Sequence, residues 1–267
     1  MGSDIKSLRS RIRSVDSTLH LTKAMGLVAA SKIRRATRVM NQSREYASAM
    51  EDVVAVLRSS PECERTPYMQ PRGEGTRLVV IAGDRGLAGG YNANVFRLAA
   101  TEPDAEIVPI GKRACERWGK PVISSEKYPA AEAKKLADEL CRDFLDGKYS
   151  RLGILFTRYR SMMSQEATLL WVLPLEKKEE KDEGASPVFE PDEQAVLNAA
   201  VPTYVSGLIA ACVRESYACE VAARRMAMDS AGKNAQEMID RLQLQYNRAR
   251  QSSITQEITE IVAGSGL

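Results

Sequence analysis

A chain of 267 residues with 44% hydrophobic content can bury a core and hold one large domain or two modest ones. Its net charge of +3 is too small to mark a polyanion partner by itself, and its five cysteines, odd in number and never spaced C-x-x-C, argue against a disulfide framework or a zinc site. The start, MGSDIKSLRSRIRSV, has no apolar h-region, and apolar runs read as a handful of residues, short of the ~20 that span a bilayer; both point to a soluble protein.

All eleven prolines lie between Pro61 and Pro202, leaving proline-free runs of 60 residues before and 65 after. Proline removes a donor and clashes one turn back, so its absence permits long unbroken helices. In the first run, Ile5, Leu8, Ile12, Val15, Leu19, Thr22, Gly26, Ala29, Ile33, Ala36, Met40, Ser43, Ala47, Met50, Val54 and Leu57 follow alternating steps of three and four. That is the seam spacing of a coiled coil, with small residues in its middle that let a partner approach closely. Asp4 is the expected N-cap, and Pro61 with the loop-like PECERTPYMQPRGEG ends the helix by 58–60. Residues 1–44 carry ten Lys/Arg against Asp4 and Asp16, a basic rod that asks for an acidic partner. They contain no Phe, Tyr or Trp, so nothing there would stack on bases, and nucleic acid is disfavoured.

The middle alternates strand, turn and helix. RLVVIAGD (77–84), AEIVPIG (105–111), RLGILFTRYR (151–160) and QEATLLWVLPL (165–175) read as strands; NANVFRLAATE, KRACERWGK and residues 130–148 read as helices. This order predicts a mainly parallel sheet with helices on its faces. EKKEEKDEG (176–184) reads as a solvated loop. The last segment, expected to begin after Pro202, places Tyr204, Leu208, Ala211, Ala218, Ala222, Met226, Ile239, Leu242, Tyr246, Ala249, Ile254, Ile258 and Ile261 at helical spacing. Gly232 is a weak point within it and Gly264 and Gly266 end it. The predicted organisation is therefore a coiled-coil helix over 1–60, an α/β Rossmann-like domain over 61–202, and a second coiled-coil helix over 203–267.

Few residues offer chemistry. GDRGLAGGYN (83–92) has the glycines of a phosphate cradle, but neither G-x-G-x-x-G spacing nor a following Lys-Ser/Thr, and reads as a structural turn. His20 is the only histidine, so no imidazole cluster can serve a metal or a nucleophile. Cys212 and Cys219 share a helix face and read as small apolar residues in a seam. No catalytic, cofactor or metal site is assigned.

Three stretches, LTKAMGLVAASKIRRA (21–36), GDRGLAGGYNANV (83–95) and LQLQYNRARQSSITQEITEIVAG (242–264), resemble the gamma subunit of the rotary F-type ATP synthase, in that family's order. The resemblance implies an antiparallel coiled coil inside a hexamer of alpha and beta subunits. The α/β domain would be a foot that meets the epsilon subunit and the c ring. Such a shaft couples ion-driven rotation to ATP synthesis or hydrolysis at the beta subunits, and does no chemistry itself. By position the resemblance implies that Lys23, Lys32, Arg34 and Arg35 face acidic loops of the beta subunits, and that Met25, also on the beta-facing surface, lies where rotation is coupled to catalysis. It likewise places Arg250, Gln251, Thr255 and Glu257 against a beta loop, and Glu190 in the foot near epsilon and the c ring. Membrane association would be indirect, through the c ring, at the cytoplasmic face of a bacterial cell membrane (alternatively the matrix side of the mitochondrial inner membrane). Gly26, Ala88 and Gly232 depart from the family pattern, and the two helix glycines are expected to soften the shaft. The competing readings are a free-standing coiled-coil scaffold or nucleic-acid-binding rod with an inserted α/β domain, and an NAD- or ATP-dependent enzyme.

Overall fold

A computed structural model describes residues 2–177 and 189–264. The solvated loop read over 176–184 lies almost wholly outside the described residues, as does Gly266. The elements are α1 (Gly2–Ser59), two short 3₁₀ turns (Pro61–Arg65 and Pro67–Met69), β1 (Thr76–Ile81), α2 (Tyr91–Ala99), β2 (Glu106–Ile110), α3 (Lys112–Arg117), α4 (Ala130–Leu145), β3 (Arg151–Tyr159), β4 (Gln165–Leu173) and α5 (Glu193–Gly264). The chain divides into two compact units, one of residues 2–30 with 224–264 and one of residues 31–223.

The first unit is a helix pair. Leu19 packs against Ala235 and Ile239, and Arg9 donates to the Tyr246 hydroxyl at 2.7 Å with its guanidinium over the ring, so α1 and α5 run antiparallel. Every seam position read from the sequence along α1 is buried or half-buried and none is exposed. The two helix glycines face the neighbouring helix. A β-carbon at Gly26 would lie 3.7 Å from Met228 Cβ, and one at Gly232 would lie 3.6 Å from Thr22 Oγ1. Both helices pass through these positions unbroken.

The second unit holds a four-stranded sheet in the order β2-β1-β3-β4, with β1 parallel to both β2 and β3, and β4 antiparallel to β3 at the edge. Alternate residues of β1 serve opposite faces, as pleating requires. Val79 and Ile81 join a large core with α4, α5 and the end of α1, where Val54, Leu57, Phe144, Leu197 and Val205 are buried. Leu78 and Val80 join a smaller core with Val95 and Ala99 of α2 and Ala114 of α3. The stretch after α1 is not a plain loop: Ser60 caps its first 3₁₀ turn, and Cys63 and Tyr68 from the two turns are buried.

Two sequence expectations shift at helix starts. Asp4 lies in the first turn of α1, which begins at Gly2, instead of capping it. The last helix begins at Glu193, ten residues before the expected 203, with Pro202 inside it. Asp192 caps it, its carboxylate accepting the Ala195 N–H at 2.7 Å and its carbonyl the Val196 N–H at 3.1 Å. Proline is tolerated because Asn198, whose carbonyl loses its donor, is on the exposed side where water can reach it. Residues 194–213 also lack any charge, contrary to the expectation of only short apolar runs. An 18-residue window of α5 has mean hydropathy 1.7, apolar enough by composition to cross a membrane, and half of it is buried within the protein. Leu197, Val201, Val205, Ile209 and Val213 there are core residues.

Candidate functional site

The glycine loop has the backbone geometry of an anion cradle, and the chain fills it with its own carboxylate. Glu220 of α5, 2% exposed, accepts the N–H groups of Asp84 and Arg85, each at 3.2 Å. Gly83 permits this, since a β-carbon there would come within 2.8 Å of Glu220 Cδ. Asn92 Oδ1 takes the Gly83 N–H at 2.9 Å. The loop's conformation includes Leu87 at φ 60°, an uncommon left-handed position for a bulky residue, with its side chain exposed. Ala88 is buried against Tyr91 and Cys219, which explains a small residue there.

Asp84 organises the far side of the loop. Its carboxylate accepts the N–H groups of Lys112, Ser125 and Glu126 and the Ser124 hydroxyl. Burial works to raise its pKa, but these hydrogen bonds outweigh burial and hold it below the usual range. The adjoining part of α5 is latched to β3 by polar groups. Glu215 accepts the Tyr159 N–H at 2.7 Å and pairs with Arg44, Ser216 Oγ accepts the Thr157 N–H at 3.1 Å, and the Tyr91 hydroxyl donates to the Ser216 carbonyl at 2.9 Å. Cys212 is buried in the large core and Cys219 packs against Ala88 and Tyr91 with its thiol on the Thr157 carbonyl, so both are packing groups against the sheet and glycine loop instead of the helix seam; burial drives both thiols well above their ordinary pKa.

The residues predicted to meet partners fall into separate groups. In the first unit Lys23 is exposed and Met25 half-buried. Lys23 and Gly26 line a groove of about 460 Å³ with Arg225, Met228, Gly232 and Lys233, and Leu27 beside it is 71% exposed. His20 is exposed next to Asp16. In the second unit Arg34 and Arg35 are exposed, but Lys32 is engaged: its ammonium lies 2.7 Å from Glu126, whose carboxylate also accepts from the Tyr217 hydroxyl at 3.0 Å. The Lys32 hydrogen bond is the main reason Glu126 titrates below the usual range.

The predicted C-terminal residues do come together. Arg250, Gln251, Thr255 and Glu257 are all exposed on the final turns of α5, along with Ile254, Ile258, Ile261 and Val262. Glu190 is exposed just before the Asp192 cap. Sequence reasoning missed Glu220, Asp84 and Glu126. Glu220 left one signal: a lone charge between Cys219 and Val221 in an otherwise apolar stretch of helix.

The family model described as ATP synthase matches residues 4–266. The chain is 37% identical to the ATP synthase gamma chain of Geotalea daltonii and 36% identical to that of Moorella thermoacetica, with 98% of each chain covered in both comparisons. Among solved structures it is similar to a chain of the Euglena gracilis mitochondrial ATP synthase rotor (TM-score 0.65, 19% identity, 95% of this chain and 100% of that one). It is also similar to a chain of the OSCP/F1/c-ring assembly of the same enzyme (TM-score 0.69, 17% identity, 100% and 97%). At those identities the likeness is one of fold.

Proposed function

From the premise that this chain belongs to the ATP synthase gamma-chain family, we propose that it is the enzyme's central-stalk rotor. It couples ion-driven turning of the c ring to ATP synthesis or hydrolysis at the beta subunits of an alpha–beta hexamer. The observation that carries this reading is the pairing of two unbroken helices from opposite ends of the chain, in a protein matched to gamma chains along nearly their whole length.

The chain itself is not a catalyst. The phosphate-cradle-like loop at 83–92 is occupied by Glu220, which disfavours the reading as a nucleotide-dependent enzyme. The protein is a peripheral F1 subunit at a membrane, and we assign it to the cytoplasmic face of a bacterial cell membrane, with the mitochondrial inner membrane as the alternative. Its partners are the alpha and beta subunits, the epsilon subunit and the c ring.

Lys23, Arg34 and Arg35 are exposed cations suited to acidic loops that pass as the shaft turns. Exposed ion pairs contribute only ~0–1 kcal/mol each, so such contacts can form and break without stalling rotation. Lys32 contributes differently, because Glu126 already holds it. Arg250, Gln251, Thr255 and Glu257 contact a beta loop from the exposed final turns of α5, and Glu190 faces epsilon and the c ring. The helices serve as the shaft and the α/β domain as the foot, and the second helix begins at Glu193.

The test is purification of the tagged chain from its native host. Alpha and beta in threefold excess with epsilon support the proposal; recovery alone, or with nucleic acid that salt removes, returns the scaffold reading. In the assembled enzyme, Met25→Lys is expected to reduce ATP-driven ion pumping more than assembly, and unchanged pumping would remove Met25 from the coupling surface.

A further inference from the structure

The second unit contains a basic cleft that the shaft reading uses only through Lys32 and Arg35, on its α1 side. Lys32 and Arg35 of α1, Ser125, Glu126 and Lys127 of the segment before α4, and Arg214 of α5 line a volume of about 540 Å³. That size is typical of small-molecule sites, on the order of 300–1,000 Å³. Four cationic side chains face a single carboxylate, Glu126, which is already shared by Lys32 and the Tyr217 hydroxyl. Arg35 and Lys127 have no carboxylate partner among the described residues, and Arg214 donates one N–H to the Ala210 carbonyl at 3.2 Å, leaving the rest of its fork.

Ser125 is 4% exposed and its N–H is committed to Asp84, so the segment that carries Glu126 and Lys127 is held in place at the cleft. We infer that the cleft binds a small phosphate-bearing anion. Phosphate oxygens accept bidentately from the Arg35 and Arg214 guanidiniums and take the point charge of Lys127. The phosphate is either inorganic, as phosphate or pyrophosphate, or the tail of a nucleotide. This site is separate from the glycine loop, whose amides Glu220 fills.

The inference is tested on the full chain alone, so its failure says nothing about the rotor proposal. Inorganic phosphate, pyrophosphate and ADP are titrated by calorimetry at constant ionic strength. The expected result is one saturable site, with pyrophosphate binding more tightly than phosphate. Affinity should fall at least tenfold in Arg35→Ala/Arg214→Ala and several-fold in Lys127→Ala, and stay unchanged in Arg11→Ala, outside the cleft. Far-UV circular dichroism identifies variants that have lost their fold, and Arg35→Ala alone, at an exposed position, serves if the double variant unfolds. Tighter ADP than pyrophosphate binding identifies a nucleotide source; equal or weaker ADP binding identifies an inorganic one. The inference is overturned by the absence of saturable binding, by affinity indifferent to the cleft variants, or by a polyglutamate peptide binding the cleft where phosphate does not.

Discussion

A β-carbon at Gly83 would lie 2.8 Å from the carboxyl carbon of Glu220, so the glycine and the buried acid are a matched pair. The glycine lets the helix approach, and the acid receives the amides that the approach exposes. Gly83→Ala is therefore expected to destabilise the chain by about 1–3 kcal/mol through overpacking. Glu220→Ala, which leaves the Asp84 and Arg85 amides unpaired, should cost at least as much, and Glu220→Gln less. Urea unfolding measures all three, and a neutral Gly83→Ala would break the pairing argument.

The helix glycines predict the opposite sign. Added β-carbons at Gly26 and Gly232 would sit in ordinary contact, at 3.7 Å from Met228 Cβ and 3.6 Å from Thr22 Oγ1. Alanine is favoured over glycine within a helix by about 1 kcal/mol. Each Gly→Ala change should raise thermal stability by up to that amount. A fall in Tm would mean that the helices need the closer approach.

Arg44→Ala should cost about 2–3 kcal/mol, because it removes the guanidinium from a buried Glu215 that retains the Tyr159 N–H. Arg38→Ala, at an exposed position of the same helix, should stay within about 0.5 kcal/mol. Equal losses in the two variants would show that the Arg44–Glu215 pair has no special weight.

Acid should weaken the fold through Asp84, Glu126 and Asp143. Hydrogen bonds overcome the burial that would raise Asp84; for Asp143, contacts from Lys148 and Arg77 do the same, and Lys32 holds down Glu126. Because their folded pKa values are depressed, their contribution is complete above the unfolded values of ~4 and is lost as pH falls below them. Asp84→Asn should flatten the stability profile below about pH 4. A profile identical to that of the unsubstituted chain would show that other carboxylates control acid unfolding.

Removing residues 250–267 should change Tm little, since the described residues from 250 on are almost all exposed, while lowering the yield or torque of assembled enzyme. A large loss of Tm in the isolated chain would show that these turns support the fold itself.

Much of the architecture was readable because it depends on period and punctuation. The three-four steps from Ile5 to Leu57 reappear as the covered side of α1, and the four apolar runs reappear as the four strands. α5 starts ten residues before the position the sequence predicts, because the cap at Asp192 and the exposed position of Asn198 make Pro202 tolerable inside the helix. The sites were less legible. Lys32 looked like its basic neighbours until its ammonium was found on Glu126, 94 residues away. The glycine loop likewise gave no sign of which group fills it, because Glu220 is supplied from 135 residues further along.

Local rules of helix, strand and turn act over a few residues, so the chain itself determined its two long helices, its alternating middle and the basic character of its first helix. Which charges remain available to a partner, which acid fills the loop, and which cations surround a cleft were decided only when α1, α5 and the sheet packed together. Such pairings depend on side chains distant in sequence meeting within about 3 Å, and no periodicity encodes that.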